Sequence, residues 1–204
     1  MSIEAIATAA LAIIDEEGLG ALSMRRLGAR LGVEGMALYY YIPSKEALLD
    51  LLVERALLFS ASGAGRSDEA WDERLTGYAR NLRSALQAHP RMLPLLISRP
   101  VRSKAAMEAF AEGVGGLIEA GFTPIEAYGV LQGLTLAVLG LCLAGAVDAS
   151  DASRPADSRF EEILAPRLGG EAFATGQDQV FDLTITSLIN GLGRLRHASP
   201  KPRE

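Results

Sequence analysis

The sequence predicts an all-α fold. Apolar residues recur at helical spacing, glycine and proline break those runs at helix-length intervals, and no segment alternates in the two-residue period of a strand. The runs divide the chain into a small N-terminal helical domain, residues 1–46, and a larger helical domain, residues 47–204.

The first helix, residues 2–17, is carried by Ile3, Ile6, Ala7, Ala10, Leu11 and Ile14, and Gly18 suits a left-handed cap at its end. Ser23 is an N-cap for the second helix, whose inward residues are Met24, Leu27 and Leu31. Gly32 supplies the positive φ of a tight turn, and a third helix covers residues 34–40. Pro43 stops the chain and Ser44 restarts it, capping a fourth helix through Leu48, Leu51, Leu52 and Leu58. Residues 60–67, rich in Ser, Ala and Gly, read as a linker. Helices are expected over residues 68–88, 91–98 and 103–120. Thr123, with Pro124 at the first helical position, opens a long apolar helix to residue 144. Residues 147–157 turn to Asp, Ser, Ala and Pro and read as a loop. A short helix at 160–164, a final one over 178–196 and a frayed tail complete the expectation.

Composition narrows the function classes. With 49% hydrophobic and 22% charged residues the chain is globular rather than disordered. A net charge of -5 argues against binding polyanions over the whole surface, so any nucleic-acid contact must come from a local patch. The single cysteine, Cys142, excludes an internal disulfide framework and a cysteine-based zinc site. Two histidines, His89 and His197, are too few for a histidine-rich metal cluster, and no metal or cofactor is expected. No basic segment precedes an apolar run at the N-terminus, so the expected location is cytoplasmic.

Residues 22–49 hold the most chemistry. Two short helices flank Gly32, Arg25, Arg26 and Arg30 lie on the first, and Tyr39, Tyr40 and Tyr41 follow the second. A tight helix–turn–helix bearing phenols and guanidinium groups is what the major groove of DNA can receive. Gly35, Met36 and Ala37 are small or pliant enough to let the reading helix sit deep, and Met36 and Ala37 suit thymine methyl groups. Tyr39 and Tyr40 carry hydroxyls for phosphate oxygens, Lys45 adds a charge-assisted phosphate contact, and Arg25 suits a bidentate pair with guanine. Tyr41 is balanced between a packed ring and a DNA contact, Arg26 and Arg30 read as solvated charges, and Leu27, Leu31 and Leu38 as core.

This pattern resembles the tetracycline-repressor (TetR) family of bacterial transcriptional regulators. The likeness rests on residues 3–52, with the Gly32-Val33 turn and the Leu-Tyr-Tyr-Tyr-Ile-Pro-Ser-Lys run of residues 38–45, and continues in Leu96-Ile-Ser-Arg-Pro100, in residues 121–126 and in the closing helix. It implies a three-helix DNA-binding domain followed by a helical ligand-binding and dimerisation domain. Arg25, Met36, Ala37, Tyr39, Tyr40 and Lys45 fall on the family's DNA-contact positions. A homodimer reading double-stranded DNA at an inverted-repeat operator is expected, released by a small-molecule effector. Some members carry a basic arm before the first helix for extra contacts; the residues before Ile3, Met1 and Ser2, are not basic, and no such contacts are expected from them.

Residues 127–147 hold no charge and are long enough to span a bilayer, but Gln132, the glycines and the acidic ends argue against a span. The resemblance makes this helix half of a dimer interface, with the closing helix as the other half, and Gly129, Gly133, Leu188 and Leu192 at their faces. Cys142 is then an ordinary buried residue. Phe59, Gly77, Asn81, Leu95, Phe110, Tyr128, Leu131, Gln132 and Thr135 are the candidate effector-binding residues. Leu95 stands where tetracycline-binding members hold a magnesium-ligating histidine, and Phe59 is expected where the fourth helix carries another. An apolar effector is implied rather than a magnesium chelate. His89, before Pro90, reads as a helix-end residue. No catalytic set is found: there is no phosphate loop, Ser/His/Asp arrangement or paired carboxylates. The alternative is a helical adaptor whose tyrosines bind protein.

Overall fold

The computed structural model describes residues 1–62, 70–99, 101–150 and 177–198, which form helices joined by turns and short irregular segments. In chain order the helices are α1 (Ile3–Glu17), α2 (Met24–Arg30), α3 (Gly35–Leu38), α4 (Lys45–Ser62), α5 (Trp71–Ala88), α6 (Leu93–Ser98), α7 (Lys104–Glu119), α8 (Pro124–Ser150) and α9 (Gln177–Ala198). The expected tail, short helix at 160–164, most of the linker and all but the first residues of the loop lie outside the described residues.

Local chemistry sets the helix starts. The Ser2, Ser23, Ser44 and Ser103 hydroxyls accept from the N–H of Ala5, Arg26, Ala47 and Ala106 at 3.0–3.2 Å, each satisfying an amide that has no partner within its helix. Thr123 N–H donates to Glu126 at 2.9 Å, closing the start of α8 behind Pro124. Gly18 ends α1 with φ +89° and Gly32 forms the turn with φ +70°, both in the region that side chains avoid.

Three expectations change. The third helix is one turn long, Gly35–Leu38, and Tyr39 to Tyr41 stand on the turn after it; Tyr41 and Ile42 N–H both donate to the Leu38 carbonyl at 2.9 Å, tightening the chain there. Helix α8 runs on to Ser150, into the expected loop, because Val147-Asp-Ala-Ser150 contains neither proline nor glycine to stop it. A 3-10 turn, Pro90–Met92, precedes α6 where one helix was expected, since Pro94 leaves only a short run after it.

One continuous hydrophobic core joins both halves. Ile6, Ile13 and Ile14 of α1, Leu27 of α2 and Leu38 of α3 meet Leu48 and Leu52 of α4, and the same cluster continues through Leu82, Leu93, Leu134, Val138 and Ile185. Each fully buried leucine or isoleucine contributes about 1.5–3 kcal/mol relative to exposure. Polar links cross the same seam. His89, at the end of α5, pairs through Nδ1 with Asp15 of α1 at 2.8 Å, and Arg55 of α4 pairs with Glu4. Helix α8 is long and apolar enough to cross a membrane by length and composition. One of its faces, Ala127, Val130, Leu131, Leu134 and Val138, is core.

Candidate nucleic-acid interface and ligand cavity

The helix–turn–helix is held by glycine as much as by leucine. A Cβ on Gly28 would lie 2.7 Å from Gly35 N and 2.8 Å from Val33 O, and one on Gly35 would lie 3.0 Å from Arg25 Cα and Met24 O. Helices α2 and α3 therefore meet backbone to backbone. Gly35 serves this packing, rather than depth in a groove, and Gly28 is a residue that sequence reasoning missed; its place four residues before the Gly32 turn was the available signal.

That packing points a row of side chains outward. Met36 is 75% exposed, Tyr40 89% and Tyr39 42%, with Arg25 and Ala37 exposed beside them. Lys45 is half-buried at the first turn of α4. Tyr41 packs on the core and meets Tyr40 edge to face, ring centroids 5.3 Å apart, so its ring props the outer one. The basic residues sort by partner. Arg30 grips Glu16 with two bonds of 2.5 and 2.6 Å, and Arg26 bonds Glu17, so α1 neutralises both. That contact holds the Glu16 carboxyl below its ordinary pKa and raises that of Arg30. Arg25 and Lys45 have no ion-pair partner among the described residues. The surface thus presents two uncommitted cations, two phenols and a thioether, a set suited to phosphates and base edges.

A cavity of about 810 Å³ lies among α4, α5, α7 and α8. Of the candidate effector-binding residues, Phe110, Tyr128, Leu131, Gln132 and Thr135 line it. Phe59, Gly77, Asn81 and Leu95 do not. Leu95 is 2% exposed and belongs to the core, while Phe59 is 53% exposed on the outer side of α4. Ala61, two residues on and about 200° round the helix, takes the cavity position expected for Phe59. Helix α5 presents Trp71, Arg74, Leu75, Tyr78 and Leu82. That stripe at three- and four-residue spacing was visible in the sequence, and Gly77 and Asn81 sit off it.

The wall chemistry is specific. Thr135 Oγ1 donates to the Leu131 carbonyl at 2.8 Å, which leaves it to accept the Tyr78 hydroxyl at 2.9 Å. Burial pushes the Tyr78 phenol above its ordinary pKa, partly offset by the bond to Thr135. Phe110 and Tyr128 meet edge to face at 5.8 Å, as do Trp71 and Phe122 at 5.1 Å. Arg99, after α6, bonds Asp50 at 2.6 Å and pairs with Glu46, both on the opening turns of α4. The cavity wall is thereby tied to the helix that begins with Lys45.

Comparison with known proteins finds the family model described as bacterial regulatory proteins, tetR family, over residues 6–52, and a tetracyclin repressor-like C-terminal domain over residues 64–195. The class A tetracycline repressor of an Escherichia coli transposon is 32% identical over 92% of this chain and 88% of its own length. The transcriptional repressor DrrR1 of Streptomyces coeruleorubidus is 38% identical over 53% of the chain, which spans 40% of that relative's length. Streptomyces coelicolor ActR, solved in complex with actinorhodin, superposes with a TM-score of 0.72 at 26% identity, covering 94% of this chain and 95% of that one.

Proposed function

The chain belongs to the tetR family of bacterial regulatory proteins, a ligand-responsive DNA-binding repressor by its relatives, and from that premise we propose how its own residues read DNA and sense a ligand. The observation that carries the reading is the pairing of an outward, uncommitted Arg25–Met36–Ala37–Tyr39–Tyr40–Lys45 surface with a cavity whose wall is ion-paired to the helix Lys45 begins. Residues 1–46 form the reading head. Met36 and Ala37 face base edges, Arg25 reads guanine, Tyr39, Tyr40 and Lys45 hold phosphates, and Tyr41 supports Tyr40 from behind.

Two copies pair through α8 and α9. The face of α8 opposite the core carries Ile125, 76% exposed, and Leu136, 58% exposed and also at the edge of the cavity, with Gly129, Gly133 and Gly140 open beside them. Helix α9 adds Leu183, 71% exposed. An apolar face with glycine recesses suits close helix contact between subunits, and the pair then reads an inverted repeat in the cytoplasm. A protein-binding adaptor has less support, because its docking surface would leave the cavity and its link to α4 without a use.

The effector is largely apolar. ActR is solved with actinorhodin bound, and in this chain the walls made of Phe110, Tyr128, Leu131 and Leu139 suit an aromatic ligand. A magnesium chelate has no support from α6, where Leu95 is a core residue, or from α4, where Ala61 faces the cavity. An effector that fits only one arrangement of α6 against α4 lowers DNA affinity by the coupling factor it imposes.

A mobility-shift titration of the full chain on duplexes selected from a random library tests the reading. The selected sites should be inverted repeats, with affinity falling steeply as salt rises. Asymmetric sites bound by one subunit, or no selection above background, would overturn it.

A further inference from the structure

The cavity holds one cation, Arg74, that no acidic side chain among the described residues neutralises. Arg74, in the first turn of α5, lies flat against α7 at Gly116, where a Cβ would stand only 2.5 Å from Nη1 and 2.7 Å from Nη2. The recess exists because residue 116 has no side chain. Within it Arg74 Nε is buried without a hydrogen-bond partner, and the guanidinium has no ion-pair partner among the described residues. Arg99, the other cationic wall residue, is already held by Glu46 and Asp50. Glu112, the acidic wall residue one turn before Gly116, is exposed and makes no ion pair with Arg74. The hydroxyl protons of Tyr78 and Thr135 are both spent inside the wall. Arg74, Gln132 and the Tyr128 hydroxyl are left as donors toward a ligand, Arg74 alone of them charged, and a partly buried guanidinium without a counter-charge is costly until one arrives.

We infer that the effector is an aromatic acid whose anionic oxygens seat on Arg74 in the Gly116 recess while its rings lie along α7 toward Phe110 and Tyr128. This rests on the cavity being the effector site, as proposed above, and adds the charge of the molecule that fills it. Phe110 lies six residues before Gly116, about 9 Å of helix rise, so the anion site and the aromatic end suit a body of two or three fused rings. The guanidinium fork donates two parallel bonds to a carboxylate, which fixes the orientation of that body as well as its affinity.

The test is calorimetric titration of the full chain with anthracene-2-carboxylate and anthracene-2-carboxamide, which share a shape and differ in charge. The carboxylate should bind about ten- to a hundredfold tighter, the effect of one charge-assisted contact. In Arg74→Met that preference should vanish with the amide's affinity unchanged, and in Arg74→Lys it should survive in reduced form. Equal binding of the two probes to the unsubstituted chain overturns the charge assignment alone and needs no variant to fold. A preference that persists in Arg74→Met overturns the role of Arg74. Binding of neither probe to the unsubstituted chain removes the cavity reading itself, and this inference with it.

Discussion

At the scale of single residues, what distinguishes the cations is whether α1 reaches them. Arg26 and Arg30 are spent on Glu17 and Glu16, whereas Arg25 and Lys45, the proposed DNA contacts, have no ion pair among the described residues. Lys45→Ala should weaken binding evenly across sequences and reduce the salt dependence by about one ion, measured by mobility shift over a salt series. Arg25→Ala should cost about 1–3 kcal/mol at the preferred site and relax base choice at one position of each half-site, read by repeating the selection. The Glu16–Arg30 contact gives a pH signature. Because its folded pKa is depressed, Glu16 stabilises the fold above its unfolded pKa, and that contribution disappears as pH falls through the lower folded value. The difference in melting temperature between the natural chain and Glu16→Gln should be present near neutrality and shrink in acid. The same residues show what the sequence made legible: the types and spacing that favour DNA were plain, while the division of four cations into paired and unpaired depended on where α1 ends.

At the scale of elements, Gly28 at the α2–α3 corner and Gly115 on α7 are opposite cases. Gly28→Ala would drive a methyl group into the backbone of Gly35 and Val33, which cannot move aside as a side chain can. A loss of about 1–3 kcal/mol or more, with loss of DNA binding, is expected from denaturant unfolding and mobility shift. Gly115→Ala on α7 meets nothing within 4 Å and should instead stabilise by about 0.5–1 kcal/mol. Helix positions were readable because serine caps, Pro124 and the turn glycines act locally. The third helix was read too long because Tyr39 and Tyr40 continue its pattern, although Leu38 closes the turn. Candidate cavity residues on α5 and α4 were read off phase: Gly77, Asn81 and Phe59 were placed by likeness, whereas helix rotation selects Tyr78, Leu82 and Ala61. Periodicity gave each helix a buried stripe, but not which part of that stripe borders empty space.

At the scale of the whole molecule, the shared core and the exposed face of α8 and α9 govern behaviour. Among the described residues one core is continuous from Ile6 to Ile189, across the proposed boundary between reading head and ligand domain. His89→Ala, which removes the partner of Asp15 across that seam, should leave the cavity intact yet reduce the change in DNA affinity that a bound ligand produces, measured by mobility shift with and without ligand. Leu183→Lys, on the proposed pairing face, should shift the protein to monomer in sedimentation and abolish binding to inverted repeats while the monomer stays folded.

Trp71 is the sole indole in the chain, and it stands on the cavity wall with its ring against Phe122. A guest entering that space alters the surroundings of the chain's single indole, so the molecule carries its own optical gauge of occupancy. Intrinsic emission can then be followed in mixtures of candidate compounds with neither dye nor label, and a silent response from a compound that releases DNA would place its action elsewhere on the protein.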